Sequence, residues 1–370
     1  MRLALLTHEP FYPPSGGGSA EANYLVSELT RRGHEVHLFC PDFPDRDAVA
    51  ARFGITVHPF TGWEMGRYTR LRSLKYLAYP GALRRLVRRI ARDISFDAIL
   101  SQHAISAVAA GKLKADLDVP VVMNFLDFLT GFMESWPAWA MPRFVLRRLM
   151  AYELSLPKRH DADAVLTVSD ELARRFAETN YAADRLHPIL YGHDAKLFQP
   201  RTKNRGPGTV AMHGSFDTHH LGPIAIRAIT TIALDRPETH FLFIGRETDT
   251  VKKLAKRVFA AAPLAKFECT GFVPYSEVAE RLGQATVGII PYEPSSGAHC
   301  AFVAKLVEYT ALGLPVVSTP LAGVKSFFGD EPSVRFSAFD GGQFANDVID
   351  LLDNPPPRAE SEHLAGRVAA

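Results

Sequence analysis

Short runs of apolar and β-branched residues alternate with longer amphipathic stretches along most of the chain, and this alternation stops once and restarts. In the first half the runs are Leu3 to Thr7, Glu35 to Phe39, Ala98 to Ser101, Val119 to Met123 and Ala164 to Val168. Helical patterns lie between them at Ser19 to Arg32, Leu83 to Ala91, Ala104 to Ala115, Pro142 to Lys158 and Asp170 to Thr179, the last with Ser169 placed to cap it. Apolar strands spaced by helices predict a parallel sheet covered on both faces. Pro200 to Gly208 is polar, glycine- and proline-rich and aperiodic, which predicts a linker. Beyond it the strand pattern resumes at Thr209 to Met212, Phe241 to Ile244, Lys266 to Cys269, Val287 to Ile290 and Pro315 to Ser318. Helical patterns fall between these at Gly222 to Leu234, Thr250 to Ala261, Tyr275 to Gln284 and Val303 to Leu312. The expected fold is therefore α/β with two Rossmann-like domains, 1–199 and 200–354, and a tail 355–370 after Pro355-Pro356-Pro357. Two such domains make a cleft, and open α/β sheets bind ligands at the carboxyl ends of their strands.

Composition narrows the class. Hydrophobic residues make up 47% and charged residues 22%, as in a globular protein, and a formal charge of +2 excludes a nucleic-acid binder on overall electrostatics. Three cysteines, Cys40, Cys269 and Cys300, have no paired spacing, so free thiols in a reducing compartment are expected. The first apolar stretch is too short for a signal peptide and no run is long enough to span a membrane, so the expected location is cytoplasmic, at most peripheral at the inner face of a membrane. Arg67 to Arg92 is basic throughout, with Leu71, Leu74, Leu77, Leu83, Leu86, Val87 and Ile90 interspersed. It reads either as a surface for anionic lipid or a phosphate-bearing acceptor, or as a solvated helix face beside a core stripe.

The segment Pro291 to Ser318 reads as strand end, polar loop, helix, tight turn and strand. On its helix Val303, Leu306, Val307 and Thr310 share the buried stripe, while Lys305 and Glu308 stand on another face. A helix start at Phe302 and Val303 offers backbone N–H groups that suit a diphosphate, Lys305 adds a charge, and Glu308 can accept from ribose hydroxyls. The plainer reading is a surface Lys–Glu pair. Gly16, Gly17 and Gly18 precede another helix start, where the backbone can approach a ligand or simply turn. Asp127, after the fourth strand, suits either a general base toward a hydroxyl or a cap. His213, His219, His220 and His299 lack closed metal-ligand spacing, so no metal is expected.

Lys305 to Val317 (K-x-x-E-Y-x-A-x-G-x-P-V-V) resembles the donor-binding signature of GT-B glycosyltransferases, especially family 4. Gly16-Gly17-Gly18 with Gly33-His34-Glu35-Val36, Val168-Ser169, Tyr191-Gly192-His193-Asp194 and Gly271-Phe272-Val273-Pro274 resemble further landmarks of that family, so the resemblance covers nearly the whole chain. It implies transfer of a sugar from a nucleoside diphosphate sugar to a hydroxyl of a glycan, lipid-linked or natural-product acceptor, without a bound metal or other cofactor. It assigns Gly16 to Gly18 to the acceptor side, and Phe302, Val303, Lys305, Glu308 and Gly214 to the donor. Two departures stand out. The first of the family's two glutamates, eight positions before Glu308, is Cys300, with Glu293 or His299 as substitutes. The usual arginine and lysine after the first C-terminal strand are replaced by Gly214-Ser215-Phe216-Asp217-Thr218-His219-His220, which loads the diphosphate onto Lys305 as in lysine-helix glucuronosyltransferases of this fold. Family membership implies retention and an Asp127 base implies inversion; both stay open. So do an epimerase or hydrolase on the same scaffold and a non-catalytic sugar-nucleotide or membrane-surface binding protein.

Overall fold

The computed structural model describes residues 1–14, 17–62, 75–136, 138–139, 141–200, 208–329 and 331–369. Gly16, the linker residues 201–207 and the basic residues 67–74 lie outside the described residues.

The chain forms two compact units, Met1–Thr130 with Ala138–Ile189, and Gly131–Pro137 with Leu190–Ala370. The first contains β1 (Arg2–Leu6), β2 (Glu35–Pro41), β3 (Thr56–Phe60), β4 (Ala98–Gln102), β5 (Val121–Phe125), β6 (Ala164–Thr167) and β7 (Leu186–Pro188). All are parallel, in the order β3-β2-β1-β4-β5-β6-β7. Leu5 pairs in register with Leu38 on one side and Leu100 on the other, so the central strand is apolar because both of its faces are covered. The second unit contains β8 (Thr209–His213), β9 (His240–Ile244), β10 (Lys266–Cys269), β11 (Val287–Ile290), β12 (Val316–Ser318) and β13 (Val334–Phe336), parallel in the order β10-β9-β8-β11-β12-β13. In both sheets the strand order reverses beside the first strand, between β1 and β4 and between β8 and β11. Doubly wound sheets hold ligands at such switch points.

Strands β3, β7 and β13 were not expected. β3 and β7 are edge strands bearing prolines, and β13 has three residues, so none carries a continuous apolar signal. The helix expected from Leu83 begins earlier, at Lys75, and runs through Pro80 to Ile90. Ser169 caps its helix as expected, accepting from the Leu172 N–H at 3.2 Å. The stretch expected as a tail contains a helix, Arg358–Ala369, that buries Leu364 and Ala365 and hydrogen-bonds Ser361 to Ser333. No helix among the described residues is long and apolar enough to cross a membrane.

Candidate functional site

In the second unit the switch point lies between the carboxyl ends of β8 and β11. β8 ends at His213 and turns at Gly214, whose φ of +99° is left-handed. The helix Ala304–Ala311 brings Lys305 across this turn; a Cβ on Gly214 would lie 2.8 Å from Lys305 Cε. Only glycine combines that φ with that approach. Lys305 Nζ donates to Tyr292 Oη at 2.9 Å, and Tyr292 follows β11. The ammonium therefore spans the switch point; in the first turn of its helix the Leu306 N–H donates to the Val303 carbonyl at 2.9 Å.

Glu308 lies one turn further in. It was expected on an open face with Lys305, yet it is buried, with one oxygen 2.6 Å from His213 Nε2 and the other accepting from Tyr275 Oη at 2.7 Å. Burial pushes its carboxyl up, but His213, the two hydrogen bonds and the Lys305 charge outweigh that and hold it below the ordinary value. His213 in turn sits against Tyr309, whose hydroxyl is 3.2 Å from Nδ1 and accepts from the His213 backbone N–H at 3.1 Å. Glu308, His213, Tyr275 and Tyr309 thus form one hydrogen-bonded group at the end of the sheet, with the Lys305–Tyr292 pair near enough for its charge to act on Glu308.

Of the other donor residues expected from sequence, Phe302 and Val303 turn their side chains into the core, Phe302 stacking on Phe328 at 6.1 Å. Their backbone leads into the helix start. Glu293 accepts from the Ile224 N–H at 2.8 Å and so caps the helix Pro223–Asp235. His299 Nδ1 accepts from the Ala322 N–H at 3.3 Å, at the start of the helix Ala322–Phe328. Neither meets the Lys305 group through these bonds. Cys300, at the position of the family's first glutamate, is fully buried. The structure adds His213, Tyr275 and Tyr292; the sequence marks the two tyrosines by no motif, because their partners lie 33 and 13 residues away.

After Gly214 the loop carries Asp217, His219 and His220, one potential ligand atom of each lying within 4.8 Å of the others. Burial, and then the Lys305 charge, push His219 down to about 4. Phe132 and Glu134, from the segment of early sequence that belongs to this unit, complete the surroundings. Phe132 lies 5.1 Å from the His219 ring, and Glu134 accepts from the Ser296 N–H at 2.5 Å.

In the first unit the switch point lies between β1 and β4. Gly17 opens the helix Gly17–Arg31, and a Cβ on Gly18 would fall 2.5 Å from His103 Nε2. Glu21 accepts from Gln102 at the end of β4 and from Asn124 at the end of β5, the latter at 3.0 Å; burial raises its carboxyl to about 7. Asp127 is half-buried in the turn after β5. Past Phe128, the N–H groups of Leu129 and Thr130 donate to buried Glu153 at 3.1 and 2.8 Å, so Glu153 fixes the end of the loop that carries Asp127.

The family model described as "Glycosyl transferase 4-like domain" matches residues 16–192, and "Glycosyl transferases group 1" matches residues 208–354. A search of curated proteins gives no match. Among solved structures, sucrose-phosphate synthase from Thermosynechococcus elongatus superposes with a TM-score of 0.76 at 15% identity, over 100% of this chain and 93% of that one. Anabaena HepE in complex with UDP gives 0.74 at 16% identity, over 100% and 95%. WaaG, a glycosyltransferase involved in lipopolysaccharide biosynthesis, gives 0.70 at 14% identity, over 99% and 95%. At these identities the superpositions speak for the fold, and the two family models speak for the lineage: the chain belongs to the 4-like, group 1 glycosyltransferases, with two Rossmann-like halves of GT-B architecture.

Proposed function

We propose that the protein transfers a hexosyl group from a nucleoside diphosphate sugar to a hydroxyl of a glycan, lipid-linked or natural-product acceptor. The observation that carries the reading is the Lys305 ammonium laid over Gly214 at the β8–β11 switch point. A departing diphosphate needs donors already in place, and Lys305 with the helix start at Ala304 supplies charge and N–H groups without rearrangement. Glu308 is ionised and held by His213 and Tyr275, and each carboxylate oxygen keeps a second lone pair for a ribose hydroxyl. Uridine is the first base to test, since HepE was crystallised with UDP and with UDP-glucose. Asp127 and the Gly17–Gly18 helix start serve the acceptor side, and the chemistry runs without a metal.

The test is release of nucleoside diphosphate from a panel of nucleotide sugars, with and without acceptor-containing extract, alongside incorporation of labelled sugar. The reading expects release that depends on acceptor and is matched by incorporation. Release as free sugar would instead mark a hydrolase, and no turnover of any donor would mark a binding protein.

A further inference from the structure

The helix Arg143–Arg159 buries Leu146, Glu153, Leu156 and Pro157 and packs against the helices His103–Leu117 and Asp170–Ala177. Its exposed residues are Arg143, Phe144, Arg147, Arg148, Ala151, Tyr152, Lys158 and Arg159. At about 100° per residue these fall within about 180° of arc, a continuous half-cylinder facing solvent. That half holds five cations and two aromatic rings, while the helix's one acidic residue, Glu153, points inward. Phe144, near the middle of the arc, is 62% exposed, and Trp139, just before the helix, is 69% exposed. Among the described residues no carboxylate pairs with Arg147, Arg148 or Arg159. By contrast Arg84, on the helix Lys75–Ile90, is held by Asp116 through two short bonds. Arg85, Arg88 and Arg89 of that helix are also exposed, and both helices pack against the intervening helix His103–Leu117.

An ordinary soluble surface mixes charges and hides large rings. Exposed arginines such as Arg147 and Arg148 around exposed Trp and Phe match an interfacial helix, whose arginines meet lipid phosphates while the rings enter the headgroup boundary. We propose that the exposed half of the helix Arg143–Arg159, with Trp139 ahead of it, docks the protein on the surface of an anionic lipid bilayer. A soluble polyanion would use the charges but gives Trp139 and Phe144 no apolar layer to enter. The proposal places the surface on a helix that the sequence marked only as a helical pattern, and it does not depend on the sugar-transfer reading.

Flotation of the full chain on vesicles of phosphatidylcholine alone, and of phosphatidylcholine with phosphatidylglycerol, tests it. Wild type is expected to float only with the anionic vesicles. The triple variant Arg143→Gln, Arg147→Gln, Arg148→Gln should partition roughly 100-fold more weakly. The double variant Trp139→Ser, Phe144→Ser should also weaken binding, and should lose what remains at high salt. All five positions are at the surface, so unfolding midpoints should not move. Equal recovery on neutral vesicles, no recovery on either, full recovery of both variants, or binding only to a soluble polyanion such as a single-stranded oligonucleotide overturns the proposal.

Discussion

Glu308 and His213 meet at 2.6 Å inside the second unit, at the end of the strand that leads to Gly214. The pair turns a helix carboxylate, which by spacing alone belongs on an open face, into a fixed part of the switch point. Removing one partner strands the other in a buried setting. Glu308→Ala should therefore cost about 3–5 kcal/mol, measured as the shift in urea unfolding free energy.

The same pair sets an acid limit. The folded Glu308 carboxyl lies below its ordinary value, so its contribution is complete above that ordinary value and is lost as pH falls through the lowered one. Acid unfolding followed by circular dichroism should show wild type losing stability in that range. Glu308→Gln should lack that loss.

Glu153 has the opposite sign. Burial raises its folded carboxyl from 4.5 to about 7, so the native state holds a proton that the unfolded state releases, and stability falls as pH rises across that interval. Glu153→Gln removes the titration. Relative to wild type it should gain on the order of 3 kcal/mol between pH 4.5 and pH 7, read from unfolding curves at both ends.

Gly214→Ala combines a left-handed φ of +99° with a Cβ 2.8 Å from Lys305 Cε. Backbone strain of this kind costs about 1–3 kcal/mol, and the lysine has to move. The expected result is a lowered unfolding midpoint together with a raised KM for the donor. Unchanged donor KM would separate Lys305 from the donor.

Much of the fold was legible because doubly wound sheets write their buried strands as apolar runs and their helices as amphipathic ones. Thr56–Phe60 escaped because it is a half-exposed edge strand containing Pro59, and Arg358–Ala369 because three prolines ahead of it suggested an end to order. Lys305 and Glu308 were legible because one helix carries both. What they touch was not: Glu308 finds His213 across 95 residues, and Glu293, similar in charge, closes a helix start through Ile224 instead. Nor could the sequence show that Gly131–Pro137 belongs with the second unit, since that depends on Phe132 and Glu134 meeting His219 and Ser296 far along the chain.

The central claim is that a nucleoside diphosphate sugar is held by Lys305 at the β8–β11 switch point. Thermal unfolding of wild type and Lys305→Ala with a panel of nucleoside diphosphates and their sugars tests it most directly. A cognate donor at about 100 times its Kd should stabilise wild type by about 2.7 kcal/mol. Lys305→Ala should lose most of that gain while unfolding normally without ligand. No stabilisation of wild type by any nucleotide, or an equal response from Lys305→Ala, would contradict it.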